Sequence, residues 1–323
     1  MLFWLRELGY RSGWLPVVTA PLPIVSVGNL TFGGTGKTPV VQALAQHCLC
    51  KGHQPAILLR GYRRRHRGML VVSRGQGPEV PWWTSGDEAW LHAWRLPQAF
   101  VLVDRYRERA ALVAQQLGAK IAFLDDGLQY RRLSRQLELV ILDRTTLRRP
   151  HVFPFGYLRE PLRALHRSHV LLLNGIAPDE VPTAFRYIPW VCLRFSFGKA
   201  TQWFPDKEQL LEAPPPEPVV AFAGIAQPER FRQSLVSCGW QIAFWKVFPD
   251  HHPYTLRSLR PAVEYCLRSG ISSIVTTEKD FVRLRPFLPH LYAIGLTVIT
   301  VSLVVEFGEG AEQLWASLEQ LLQ

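Results

Sequence analysis

The sequence predicts an α/β protein: a parallel sheet with helices on both faces, followed by a second, smaller α/β domain. Three observations point there. Short continuous apolar runs recur along the chain, segments of helical character separate several of them, and each run stops at a polar or small residue. Uninterrupted apolar strands mark a sheet buried on both sides, which parallel strands with intervening helices provide. Ligands of such sheets bind beyond the carboxyl ends of the strands.

The runs occupy 24–27 before Gly28, 56–59 before Arg60, 100–103 before Asp104, 121–124 before Asp125, 139–142 before Asp143 and 170–173 before Asn174. Helices are expected over 38–51, 87–95 and 105–118. The pattern then changes. Residues 187–195 and 201–204 read as two short strands with a turn at Gly198-Lys199, and the proline-rich segment 212–218 reads as a stiff connector. A second series follows: a strand at 219–223, a helix at 229–237, a strand at 241–247, a helix at 255–268 and a strand at 274–277. An amphipathic helix over 310–323 ends the chain. The expected organisation is a first domain over 1–185, a β-ribbon and Pro-rich linker over 186–216, and a smaller domain over 217–323. A length of 323 residues agrees with about two domains.

Composition narrows the partners. Hydrophobic residues make up 48% and charged residues 20%, which excludes a largely disordered chain. The formal charge is +11, and of 37 cations only seven are lysines, leaving 30 arginines. Guanidinium offers a planar fork of donors for phosphate and carboxylate, so the expected partner is anionic. Five cysteines without a dense framework suit a reducing compartment. Cys48 and Cys50 with His47 and His53 hint at a metal site, but Val40, Ala43, Leu44, His47 and Cys48 share one helical face, and a packed helix is the favoured reading. The N-terminal apolar run, five residues long, is far too short to span a bilayer and lacks the form of an export signal. Its mixture of Leu, Trp, Tyr and Arg suits either a segment lying among lipid headgroups or a helix packed on the domain.

The segment with most chemistry follows the first strand: Gly28-Asn29-Leu30-Thr31-Phe32-Gly33-Gly34-Thr35-Gly36-Lys37-Thr38-Pro39. Its Gly-Lys-Thr opening a helix is the end of a Walker A phosphate loop, with Thr31 where the strict pattern has Gly. Glycines let backbone N–H groups converge on phosphate oxygens, and the helix N-terminus adds a favourable field. Thr31, Gly33, Gly34, Thr35, Gly36, Lys37 and Thr38 form the expected nucleotide cradle. Lys37 reaches the β- and γ-phosphates, and the Thr38 hydroxyl ligates Mg²⁺. Pro39 is tolerated in the first helical turn. A second metal-binding carboxylate is needed at a strand end. Asp104 and Asp143 also end apolar runs, but the doubled carboxylate before Gly127 makes Asp125-Asp126 the stronger candidate; adjacent strand residues point opposite ways, so one Asp can face the metal while the other orients a neighbour or a water.

At these residues the chain resembles the tetraacyldisaccharide 4′-kinases of lipid A biosynthesis. The resemblance runs through Val25-Ser26-Val27-Gly28-Asn29-Leu30-Thr31 into the loop, then Arg60-Gly61-Tyr62, Gly86-Asp87-Glu88, Asp125-Asp126-Gly127-Leu128-Gln129 and Gly156-Tyr157-Leu158-Arg159-Glu160-Pro161. It continues through Ala221-Phe222-Ala223-Gly224-Ile225, Pro228-Glu229-Arg230-Phe231, Asp250-His251-His252-Pro253-Tyr254 and Thr276-Thr277-Glu278-Lys279-Asp280, so it covers residues 24–280. The family's loop also carries Thr at the first Walker position. Departures are Leu128 and Tyr130, where the family usually has Phe and His, and an N-terminal hydrophobic segment that looks shortened. The resemblance implies transfer of the γ-phosphoryl of ATP, with Mg²⁺, to the 4′-hydroxyl of a disaccharide 1-phosphate glycolipid. It implies an ATP–Mg²⁺ site at Lys37, Thr38, Asp125 and Asp126. Asp87 and His252 would help remove the hydroxyl proton across an interdomain cleft, with Arg159 and Glu160 lying in that cleft. It places the protein peripherally on the cytoplasmic face of the inner membrane.

Other features keep plainer alternatives. Asp87-Glu88 also suits a helix cap, and His251-His252 a solvated loop pair. Lys279 and Asp280 are adjacent, which is the wrong spacing for a guanine-reading motif. The basic run 60–67 suits an anionic membrane surface or substrate phosphate best, with a solvated loop or nucleic acid as alternatives; without an accompanying motif no nucleic-acid partner is expected. Trp82-Trp83 suits sugar stacking, lipid headgroups or core packing. The functional rivals are a P-loop NTPase acting as a protein switch or assembly factor, and a nucleic-acid-dependent ATPase. Oligomeric state has no signature in the sequence.

Overall fold

A computed structural model describes residues 2–323. The chain divides into two compact units, the first ending at Phe195 and resuming over Val305–Gln323, the second comprising Ser196–Val304. The first unit opens with α1 (Leu2–Arg11), β1 (Ile24–Asn29), α2 (Lys37–Cys50), β2 (Pro55–Leu59) and β3 (Leu70–Arg74). It continues with α3 (Trp82–Ser85), α4 (Asp87–Arg95), β4 (Phe100–Val103), α5 (Arg107–Gln116) and β5 (Ile121–Asp125). Next come β6 (Leu137–Asp143), α6 (Arg144–Arg148), β7 (Val170–Asn174) and the start of β8 (Trp190–Trp203).

Every expected strand of the first unit is present, in the order β8-β7-β6-β1-β5-β2-β4-β3, parallel except for β3 against β4. The pleat sends alternate residues to opposite faces. Val25, Val27, Ile57, Leu59, Val101, Ile121 and Phe123 pack with Val40, Val41, Leu44, Ala45 and Cys48 of α2. Ile24, Ala56, Leu58, Leu102, Ala122 and Leu124 pack with Ala110, Ala111 and Ala114 of α5. Both faces are covered, which is why these strands carry no polar alternation. Cys48 is wholly buried, and that burial pushes its thiol up to about 12, so it serves as a small apolar side chain.

The second unit contains the rest of β8, then β9 (Glu208–Leu211), β10 (Val219–Ala223), α7 (Pro228–Ser237) and β11 (Ile242–Val247). It continues with α8 (Leu256–Ser269), β12 (Ser273–Thr277), α9 (Glu278–Leu284), α10 (Leu288–Ala293) and most of β13 (Thr297–Phe307). Strands β11-β10-β12-β13 run parallel, and β9 pairs antiparallel with the end of β8. The expected turn at Gly198-Lys199 is corrected: β8 passes through it unbroken, and the chain reverses at 204–207 instead. Gly198 is there for close approach, since a Cβ would lie 2.6 Å from Ser302 Oγ and 2.7 Å from Val304 Cγ1.

The final helix, α11 (Ala311–Gln320), returns to the first unit, whereas the linear reading grouped 217–323 together. Leu314 and Leu318 are buried against the α2 face, Trp315 stacks on His47 at 4.5 Å, and Glu319 meets Lys51 at 2.9 Å. Within the second unit, buried Asp280 accepts from Gly224 N at 3.1 Å, Tyr254 Oη at 2.8 Å and Thr277 Oγ1 at 2.7 Å, and pairs with buried Arg283. Removing one member of a buried pair leaves an uncompensated charge. Asp280→Ala is therefore expected to destabilise the second unit by about 3–5 kcal/mol, read as a lower midpoint in thermal unfolding.

Candidate functional site

The site of the first unit grows from the ends of β1 and β5. Val27 pairs with Asp125 across the two strands, so the phosphate-loop sequence departs beside the doubled carboxylate. Close approach shapes this turn. At Gly28 a Cβ would lie 2.4 Å from Leu128 Cβ and 2.8 Å from its backbone nitrogen. Gly36 has φ of 93° directly before α2, and a Cβ there would lie 2.3 Å from the Phe195 ring.

Lys37 and Thr38 begin α2, and each turns to one aspartate. Lys37 Nζ lies 3.0 Å from Asn29 Oδ1 and 3.3 Å from Asp126 Oδ1. Thr38 Oγ1 donates to Asp125 Oδ2 at 3.2 Å. Asn29 also donates through Nδ2 to the carbonyl and hydroxyl of Thr31, each at 3.0 Å, so it braces the loop at both ends. Thr31 and Thr35 are buried while Gly33 and Gly34 are exposed, and Thr35 Oγ1 has no hydrogen-bond partner among the described residues. An orphaned hydroxyl within a glycine turn at a helix start is a donor for a phosphate oxygen. Hydroxyl and carboxylate oxygens are the hard ligands that Mg²⁺ takes. The residues present fit a triphosphate with Mg²⁺.

Asp126 sits at φ of 61°, a left-handed conformation rare outside glycine, between two cations. Arg159 Nη1 donates to its Oδ2 at 2.7 Å, opposite the Lys37 contact. Burial raises the Asp126 carboxyl, but Lys37 and Arg159 outweigh it and hold the group down at about 2. Arg159 is itself set by its backbone N–H to Leu30 O at 2.6 Å and lies over the Phe32 ring at 5.3 Å.

The remaining expected residues are more dispersed. Asp87 is the first residue of α4, after the N-cap Gly86; it is buried and accepts from Glu88 N at 2.9 Å, where a carboxylate also suits the field of the helix start. The same helix reaches Asp125 through His92, whose Nε2 lies 2.9 Å from Asp125 Oδ2. Glu160, buried, is taken up by Arg6 at 3.0 Å and by Arg167, which moors α1 to the first unit. His252, in the second unit, stacks on Phe248 at 4.8 Å, and its Nε2 has no hydrogen-bond partner among the described residues. Burial and the nearby Arg283 and Lys246, against the opposing Asp280, hold its pKa below the ordinary 6.5, so the ring is neutral at neutral pH. Tyr130, where the family usually has His, hydrogen-bonds Glu108, and burial drives its hydroxyl pKa upward.

Sequence reasoning passed over Asn29 as a bracing residue, Gln129 and His92. Asn29 lay within the quoted motif, and Gln129 donates to Asn29 O at 2.9 Å. His92 carried no signal, being one polar residue on an amphipathic helix.

A family model described as tetraacyldisaccharide-1-P 4′-kinase matches residues 1–323. The tetraacyldisaccharide 4′-kinase of Anaeromyxobacter dehalogenans is 36% identical over 333 residues, covering 97% of this chain and 85% of that protein. That of Syntrophotalea carbinolica is 38% identical over 286 residues, covering 87% and 79%. Among solved structures, the apo form of LpxK from Aquifex aeolicus in complex with ATP aligns with a TM-score of 0.81 and 29% identity, over 100% of this chain and 95% of that one.

Asp126 gives a pH signature. A carboxyl depressed in the fold contributes stability above its unfolded value, and that contribution is lost as pH falls through the folded one. The stability difference between the wild-type chain and Asp126→Asn is expected to stay constant above about pH 5 and to vanish between about pH 4 and pH 2, followed by urea unfolding at each pH.

Proposed function

Because the chain belongs to the tetraacyldisaccharide 4′-kinase family, we infer that it transfers the γ-phosphoryl group of ATP to the 4′-hydroxyl of a tetraacyldisaccharide 1-phosphate lipid in lipid A biosynthesis. The observation that carries this reading at the level of residues is the engagement of Lys37 and Thr38, at the head of α2, with Asp126 and Asp125 at the end of β5. Such pairing gathers at one point the ammonium, hydroxyl and carboxylates that a triphosphate with Mg²⁺ uses. The protein-switch alternative has no support among the matched proteins, which are kinases by name.

In this reading Thr31, Gly33, Gly34, Thr35 and Gly36 cradle the phosphates, Lys37 neutralises the β- and γ-oxygens, and Thr38, Asp125 and Asp126 hold Mg²⁺. Held there by Thr38, Asp125 and Asp126, Mg²⁺ would supply positive charge against that which develops in transfer. Arg159, already directed at the site by Asp126, supplies a further cation for the transferring group. Asp87 and His252 act as a pair that helps remove the proton of the attacking hydroxyl, a role supported by the neutral ring of His252 and its unpartnered Nε2. For Glu160 the ion pairs with Arg6 and Arg167 support a positioning part, holding α1 and the neighbouring Arg159.

The acceptor is a lipid, and two surface features of the first unit support a peripheral seat on the cytoplasmic face of the inner membrane. In α1, Arg6 and Glu7 are tied to Gln129 O at 2.7 Å and to Arg131 at 2.6 Å, while Leu5 and Leu8 face solvent, followed by exposed Trp14. Arg60, Arg63, Arg65 and Arg67 are exposed, a charge suited to anionic headgroups. No helix among the described residues is long and apolar enough to cross a membrane.

The direct test incubates the purified protein with γ-labelled ATP, Mg²⁺ and disaccharide 1-phosphate lipid; label must enter the lipid, and release to water alone would refute the reading. Asp87→Ala and His252→Ala are each expected to lower kcat by about 10²- to 10⁴-fold with near-normal ATP affinity. If both merely weaken nucleotide binding, the proton-transfer assignment is wrong. Since a base must be unprotonated, the acid limb of wild-type kcat/KM is expected below pH 6.5, and its disappearance in His252→Ala identifies the group.

A further inference from the structure

His92 is wholly buried on α4, with Nε2 2.9 Å from Asp125 Oδ2. That oxygen also accepts the Thr38 hydroxyl at 3.2 Å. Two groups from two different helices therefore converge on one carboxylate oxygen and hold it in place. The imidazole nitrogen on the other side, Nδ1, is buried and has no hydrogen-bond partner among the described residues. An apolar side chain of similar volume would fill this position without stranding a polar atom. What the histidine adds over such a residue is the N–H directed at Asp125.

We propose that His92 is a positioning residue for the metal site: it locks the Asp125 carboxylate in the orientation that receives Mg²⁺, and through α4 it holds the Asp87 end of that helix in register with β5. The proposal rests on the reading of Asp125 as a metal ligand. Carboxylates that ligate metals are generally themselves hydrogen-bonded, and removing that outer partner typically lowers metal affinity by about 10- to 100-fold. The geometry makes the coupling local. Asp125 is buried at the end of β5, Thr38 is in the first turn of α2, and His92 lies five residues beyond Asp87, so one hydrogen bond links the helix of the candidate base to the strand of the candidate ligand.

The test follows binding of a non-hydrolysable ATP analogue by fluorescence while Mg²⁺ is titrated, so that metal dependence is read without turnover. His92→Met fills the space but has no donor, and it is expected to raise the Mg²⁺ needed for half-maximal binding by about 10- to 100-fold, with metal-free nucleotide affinity unchanged. His92→Gln, which carries an N–H to nearly the place of Nε2, is expected to restore most of that loss. Should His92→Met not fold, His92→Asn, one methylene too short, takes its place against His92→Gln. In an Asp125→Asn background His92→Met is expected to add no further shift, because both changes act through one carboxylate. If Asp125→Asn shifts the Mg²⁺ dependence but His92→Met does not, His92 is core filling and the proposal falls alone. If Asp125→Asn leaves the dependence unmoved, the metal-ligand reading falls and takes the proposal with it.

Discussion

Asp126 lies between Lys37 and Arg159, and the organisation of the candidate site depends on that three-membered contact. The lysine comes from the start of α2, the arginine from the segment after α6, and the aspartate from the turn after β5. Three distant stretches of chain are thus pinned to one point at the carboxyl edge of the sheet. The cations hold the carboxyl at about 2, so it remains an anion at any physiological pH. A group so fixed can orient a lysine and still yield it to stronger anions: phosphate oxygens at a helix N-terminus compete for the same ammonium with the helix field behind them.

Around this contact the first unit uses its core to set the loop. Phe195, near the end of the unit's share of β8, fills the space where a side chain at Gly36 would lie. Helix α11 lies on the face of α2 through Leu314, Leu318 and Trp315. The segments on either side of the second unit therefore both pack against α2 or its N-terminus. Two stretches separated by more than a hundred residues support one helix, which is the packing reason the chain returns to its first unit at the end.

The second unit fixes its histidine loop by a different device. Buried Asp280 gathers donors from Gly224, Tyr254, Thr277 and Arg283, and His251 N–H closes on Gly224 O at 3.1 Å. Such a network is costly to bury and costly to break, so it defines one arrangement of the loop. The motif 276–280, which offered no function as a sequence, is the frame on which His251 and His252 stand. His251 holds the left-handed φ of 58° that this closure requires.

The sequence by itself determined the strands of the first unit, the glycine turn with Lys37 and Thr38, and the doubled acid at 125–126. Each is legible because its physics is local: apolar continuity follows from burial on both sheet faces, and a phosphate turn needs small residues before a helix start. It did not determine that Gly198 lies within a continuous strand, that 305–323 rejoin the first unit, or that Glu160 is consumed by Arg6 and Arg167. Those outcomes depend on which surfaces meet across long separations. A glycine reads as a turn until a neighbouring strand is seen where its side chain would be, and a glutamate reads as free until two arginines from elsewhere close on it. His92 is the extreme case. Alone it is one polar residue on a helix, and only the approach of α4 to the end of β5 gives its N–H an aspartate to hold.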